Sequence, residues 1–83
     1  MTEAYIYDAI RSPRGKGRPD GALHEVTSVA LSAQMLNAIQ SRNGLSGPAV
    51  EDVIWGNVTQ IGEQGGCLAR SAVLASNLDQ SIP

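Results

Sequence analysis

The chain has 83 residues, a net charge of -2 and an isoelectric point near 5.1, so it holds at most one small domain and lacks the basic charge expected of a nucleic-acid-binding protein. Its single cysteine excludes an internal disulfide and favours a reducing compartment, for which we predict the cytoplasm. No apolar run is long enough to cross a membrane and residues 1–5 do not resemble a signal peptide, so we expect no membrane partner.

The first predicted element is a strand over residues 4–10. Its β-forming residues are interrupted only by Asp8, which is typical of a strand buried on both faces, as in a parallel sheet. The loop from Arg11 to Gly21 contains two prolines and three glycines, which exclude regular structure.

The next predicted element is a helix over residues 27–42. Apolar side chains recur there at helical spacing, as at Val29, Ala33 and Leu36. Thr27 or Ser28 would cap the start of this helix, and Asn43-Gly44 would end it. Residues 46–51, with Pro48 at the first helical position, predict a further short helical turn.

A second strand is predicted over residues 53–59, where the sequence is apolar and β-branched. Glycines at positions 62, 65 and 66 then predict a loop that turns tightly or closely approaches a neighbour, and a helix follows from about Gly66 to Asn77. The order strand, helix, strand predicts a right-handed βαβ unit with parallel strands. Two such strands cannot form a covered sheet, so we interpret the chain as an α/β segment that is incomplete as a domain.

Two loops are candidate anion sites. The loop from Arg11 to Arg18 carries the basic cluster of the sequence, but its glycines do not follow phosphate-loop spacing, so we interpret it as a solvated surface loop. The glycine loop at 62–66 lacks the G-x-G-x-x-G pattern, so we interpret it as structural, with the helix start near Gly66 as the alternative anion site.

Cys67 is the candidate nucleophile, because a thiol at the start of a helix is activated there. The only histidine, His24, is separated from Cys67 by loops and a helix, so we predict a packing role for Cys67 and a surface or capping role for His24. Glu51-Asp52 is interpreted as a solvated strand entry, and Trp55 as a core residue. We therefore assign no catalytic, cofactor-binding or metal-binding residue to this chain.

Four segments, in order, resemble the N-terminal segment of the thiolases, the acetyl-CoA acyltransferases. The end of the first strand and the loop after it are similar to the family's A-x-R-T-P-x-G-K, with Ser12 in place of the usual Thr. Gly21-Ala22-Leu23, followed by a long helix, resembles the next part of the family's sequence. The second strand resembles V-I-x-G-N-V, and the last helix carries an A-R-x-A signature. These segments are Ala9–Lys16, Gly21–Leu23, Val53–Val58 and Gly65–Ala72.

The resemblance implies that residues 1–83 are the N-terminal part of the thiolase N-terminal domain, the βαβ portion of a fold layered α-β-α-β-α. It also implies acyl transfer between acyl-CoA and acetyl-CoA through an acyl-cysteine. The family's nucleophile lies in a C-x-S-G turn beyond Pro83, so the chain alone would be inactive. The implied partners are the remainder of the polypeptide, a homodimer or homotetramer of the whole enzyme, and acyl-CoA as a substrate rather than a bound cofactor.

Two other functions stay open at this point. One is a non-catalytic binding or assembly module, and the other is a segment of a related condensing enzyme such as a ketoacyl synthase. The strand Ile54–Val58 and the exit Arg11-Ser12-Pro13 favour a thiolase over the ketoacyl synthase.

Overall fold

The computed structural model describes residues 3–15, 20–23, 25–45 and 49–83. Within them the chain forms helix α1 (Ser28–Asn43), a 3₁₀ helix (Gly62–Gln64) and helix α2 (Leu68–Ala75). Among these residues, no helix has the length and apolar character that crossing a membrane requires.

Helix α1 confirms the predicted helix, with each boundary shifted by one residue. Thr27 is the N-cap, and its hydroxyl oxygen accepts the backbone N–H of Ala30 at 3.1 Å. Gly44 ends the helix with a φ of 61°, a left-handed conformation that glycine adopts without steric cost. Both ends are therefore set by residues that adjoin the helix in the sequence.

Helix α2 is shorter than the predicted 66–77 by two residues at each end. At its C-terminal end, the hydroxyl of Ser76 donates to the carbonyl of Val73 at 2.8 Å and accepts the N–H of Leu78 at 3.1 Å. A serine that bonds nearby backbone groups competes with the helix, which explains why α2 ends at Ala75.

The glycine loop confirms the predicted tight turn. Gly62 has a φ of 62°. A side chain at Gly65 would lie 3.1 Å from the carbonyl oxygen of Gly62, so the chain approaches itself closely there.

The core lies between α1, α2 and the segment that follows α2. Ala72 and Val73 on α2 are 0% exposed, and they pack with Leu36 of α1. Leu78 and Ile82 close this cluster from the end of the chain, and three partly buried side chains pack on its side: Val50, Val53 and Trp55.

The predicted βαβ unit is not confirmed. We call residues 4–10 the first segment and residues 53–59 the second segment. Neither is assigned as a strand, and no backbone hydrogen bond joins the two in the described part of the chain. A parallel ladder requires neighbouring strands and covering helices, and within the described residues only α1 and α2 are available to cover the segments.

Burial nevertheless alternates along the second segment. Val53, Trp55 and Asn57 are half-buried, whereas Ile54, Gly56 and Val58 are exposed. This period of two is typical of an extended chain with one face against a support. The second segment thus has the side-chain alternation of a strand, without backbone partners among the residues that the structure describes.

Two further predictions concern the helical turn around Pro48 and the packing of Trp55. The helical turn around Pro48 falls largely on residues 46–48, which lie outside the described residues. Trp55 is half-buried and packs against the core, in agreement with its predicted role.

Candidate functional site

A groove separates α1 from the two segments. It encloses about 480 Å³ and is lined by Ala9 to Ser12 of the first segment and its exit, by Met35, Leu36 and Ile39 of α1, and by Trp55. The first and second segments therefore lie on the same side of α1. A mainly apolar gap remains between them and the helix, in the place where two parallel strands would pack against α1.

A smaller cavity of about 280 Å³ lies at the other end of this side of α1. Its polar lining comes from the hydroxyls of Ser12, Ser28 and Ser32 and from Gln64. None of the described residues that line it is acidic, basic, histidine or cysteine. The cavity can offer hydrogen bonds, but it has no group suited to general acid–base catalysis.

Two side-chain hydrogen bonds hold the second segment in place. The indole N–H of Trp55 donates to the hydroxyl of Ser32 at 3.1 Å, and Ser32 is a buried residue of α1. The amide of Asn57 donates to the carbonyl of Gln64 at 2.9 Å, which ties the segment to the 3₁₀ helix. Both bonds start from the half-buried face of the segment, so they fix which face remains open.

The first segment is tied to the end of α1 by Asp8. Its carboxylate accepts from the amide of Asn43 at 2.9 Å and from the N–H of Ala9 at 2.8 Å, and it lies 3.2 Å from Nε of Arg42. The bond from Asn43, then the Ala9 N–H and the charge of Arg42, lower the pKa of Asp8 against the opposing effect of desolvation.

Cys67 is exposed at the N-cap of α2, and its side chain makes no capping hydrogen bond. The predicted packing role is therefore not observed, because the helix starts at Leu68 and it is Leu68 that enters the interior. The described residues contain no group of three metal-ligating side chains. His24, the predicted surface or capping residue, lies outside the described residues.

The basic loop is described only in part. Arg11 and Arg14 are exposed, which agrees with a solvated loop, whereas Lys16 and Arg18 lie outside the described residues. Glu51 and Asp52 are exposed at the start of the second segment, as expected for a solvated entry. Of the predicted candidates, those that the structure describes are not brought together into one site.

Arg70 is the arginine of the A-R-x-A signature, but no role was predicted for it from the sequence. On α2, it is half-buried, and its Nη1 donates to the carbonyl of Ile82 at 2.6 Å. The signal that could have identified it is its isolation, because Arg70 is the only charged residue between Glu63 and Asp79. A charge kept within a helix of small side chains points to a specific partner.

Comparison with known proteins identifies one family over almost the whole chain. The family described as "Thiolase, N-terminal domain" matches residues 4–83. The chain is 39% identical over 84 residues to proteins named 3-ketoacyl-CoA thiolase from Yersinia pestis (strain Pestoides F) and Klebsiella pneumoniae. A 3-ketoacyl-CoA thiolase from Citrobacter koseri is 38% identical over the same length.

Each of these matches covers 100% of the chain but only 21% of the relative. The chain therefore spans about a fifth of the length of the curated relatives that it matches. No solved structure gives a significant match.

Proposed function

Because the chain belongs to the thiolase family through its N-terminal domain, we propose that it is the N-terminal structural segment of a thiolase that transfers acyl groups between acyl-CoA and acetyl-CoA. In this proposal an acyl-cysteine forms on a nucleophile beyond Pro83, and residues 1–83 act as scaffold. The whole enzyme cleaves or forms 3-ketoacyl-CoA in the cytoplasm, as a homodimer or homotetramer.

The observation that carries the proposal is the exposure of large apolar side chains on the two segments. Ile54 is 90% exposed and Val58 is 99% exposed, although both belong to an apolar run. The first segment exposes Tyr5, Ile6 and Tyr7 in the same way. Several large apolar side chains exposed along one segment mark a place where another part of a protein packs.

The remaining polypeptide of a thiolase is the partner that fits this surface. The matched relatives are several times longer than the chain, so most of their length lies outside the matched region. Added strands would supply the backbone partners that both segments lack within the described part of the chain, and added helices would cover Ile54 and Val58. The second segment is fixed on its half-buried face by Trp55 and Asn57, so it can position the strands that are added beside it. This supports the scaffold role.

The test compares the chain alone with a hybrid thiolase, in which residues 1–83 replace the matching segment of the Klebsiella pneumoniae relative. Thiolysis of a 3-ketoacyl-CoA is measured for both proteins. We expect turnover from the hybrid thiolase and none from residues 1–83, because acyl transfer needs a thiolate, a base and donors for the oxyanion together. A folded hybrid thiolase without turnover would contradict the proposal.

A substitution of Cys67 in the hybrid thiolase tests whether the nucleophile lies outside residues 1–83. Cys67→Ala in the hybrid thiolase should change kcat by less than about twofold, because removing an exposed thiol outside the reacting centre takes away no transition-state contact. A loss of several orders of magnitude, with the circular dichroism spectrum unchanged, would assign the nucleophile to this chain instead.

A further inference from the structure

The segment that follows α2, residues 77–82, is held to the rest of the fold by both side chains and backbone. We call it the exit segment. Leu78 and Ile82 are buried in the core, and the N–H of Asn77 donates to the side-chain oxygen of Asn37 on α1 at 2.6 Å. Asp79 then forms a turn, because its carbonyl accepts the N–H of Ile82 at 3.1 Å and its carboxylate accepts the N–H of Ser81 at 2.9 Å.

Arg70 completes this set of contacts from α2. Its hydrogen bond to the Ile82 carbonyl joins two residues that are 12 positions apart, and no ion pair joins Arg70 to a carboxylate within the described residues. The guanidinium is thus directed at a neutral backbone oxygen. Hydrogen bonds from a charged donor are shorter and stronger than neutral ones, and the planar guanidinium gives them a defined direction.

The burial of Ile82 and the bond from Arg70 constrain different degrees of freedom. Ile82 is 3% exposed, so its side chain fixes where the residue sits, but the following peptide group can still rotate about ψ. The carbonyl of Ile82 belongs to the planar peptide that joins it to Pro83, so holding this oxygen sets the plane. The ring of Pro83 then limits its own φ and keeps Ile82 out of the helical region.

We propose that Arg70 is a positioning residue for the acyl transfer: by holding the carbonyl of Ile82 against α2, it sets the direction in which the chain continues after Pro83. This inference rests on the proposed function, in which the nucleophile lies beyond Pro83. Arg70 does not touch the reacting atoms and acts through the exit segment.

The experiment uses three variants of the hybrid thiolase: Arg70→Met, Arg70→Lys and Arg42→Met. Arg70→Met removes the donors while keeping a long side chain, and Arg70→Lys keeps one charged donor without the planar geometry. Arg42→Met is the matched control, because it removes the same group from α1, where Arg42 is exposed and pairs with Asp8 rather than with the Ile82 carbonyl. For each variant, kcat, KM for the 3-ketoacyl-CoA and the thermal midpoint are measured.

We expect Arg70→Met to lower kcat about tenfold or more with KM within about twofold, since small displacements of a positioned group act on the transition state. Arg70→Lys should recover part of this loss, and Arg42→Met should stay within about twofold of the unchanged hybrid. An unchanged kcat in Arg70→Met, even with a lower thermal midpoint, would overturn the positioning role. In Arg70→Met, a rise in KM as large as the loss in kcat would overturn it as well. So would a loss of kcat in Arg42→Met as large as that in Arg70→Met.

A second measurement tests the contact itself in the hybrid thiolase, with the Ile82 carbonyl labelled with ¹³C. Its chemical shift should move in Arg70→Met and stay unchanged in Arg42→Met, because only the first variant removes the hydrogen bond. An unmoved shift in Arg70→Met would overturn the inference. A hybrid thiolase that is folded but inactive with Arg70 intact would instead overturn the proposed function, so the two failures can be told apart.

Discussion

The helices and the two segments have similarly apolar sequences but reach opposite outcomes in the structure. Leu36, Ala72 and Val73 form a buried core, whereas Ile6, Ile54 and Val58 remain almost fully exposed. A helix satisfies its backbone within itself and needs a partner only for one face. A strand must find its backbone partners elsewhere, so the same chain length completes helices before it completes a sheet.

The largest expected effect is the difference in stability between two truncations of isomeric side chains, one at Leu36 in the helical core and one at Ile54 on the second segment. In residues 1–83, Leu36→Ala should destabilise the fold by about 2–5 kcal/mol, because it leaves a cavity beside α2. Ile54→Ala should change the unfolding free energy by less than about 0.5 kcal/mol, because the side chain is exposed. Urea unfolding followed by circular dichroism measures both, and similar costs would contradict the contrast.

The hybrid thiolase should reverse the outcome for Ile54. If the rest of the polypeptide covers the second segment, as proposed, Ile54→Ala should cost about 2–5 kcal/mol, as for a core residue. Thermal unfolding of the hybrid with and without the substitution measures the change. A cost as small as in residues 1–83 would show that the open face stays uncovered, against the proposed scaffold role.

A smaller effect is expected where the second segment is tied to α1. Ser32→Ala removes the acceptor for the Trp55 indole N–H and should cost about 1 kcal/mol. Because Trp55 is the only tryptophan, its fluorescence emission should shift to longer wavelength as the segment loosens. Ser71→Ala is the control, since this exposed serine on α2 should leave both emission and stability unchanged.

The smallest effect on stability is expected where Asp8 joins the first segment to Asn43 and Arg42 at the end of α1. The pKa of Asp8 is lowered in the fold, chiefly by the hydrogen bond from Asn43. The carboxylate therefore stabilises the fold above the ordinary aspartate pKa of 3.8, and this contribution is lost as the pH falls through the lower folded value.

The amide resonance of Asn43, followed by NMR against pH, measures this titration directly. We expect a midpoint below the ordinary aspartate value and no such transition in Asp8→Asn. A midpoint at or above that value would mean that the first segment is not held by Asp8 in solution.

The local sequence was enough to predict the helices and the tight turn. Thr27 and Gly44 lie directly beside α1, and Gly62 adopts its left-handed conformation for reasons internal to one residue. The thiolase resemblance was also carried by short local motifs, and the family match over residues 4–83 confirms it. Each of these inferences depends on residues within a few positions of one another.

Only the tertiary structure decided what joins distant parts of the chain. The bonds from Trp55 to Ser32, from Asn43 to Asp8 and from Arg70 to Ile82 cross 23, 35 and 12 positions, and no local pattern specifies such partners. The predicted strands were not confirmed for the same reason: strand propensity describes how side chains fit a sheet, while the ladder depends on neighbouring strands. In these 83 residues helix formation is a local property, whereas a sheet would need backbone partners that the two segments do not provide for each other within the described residues.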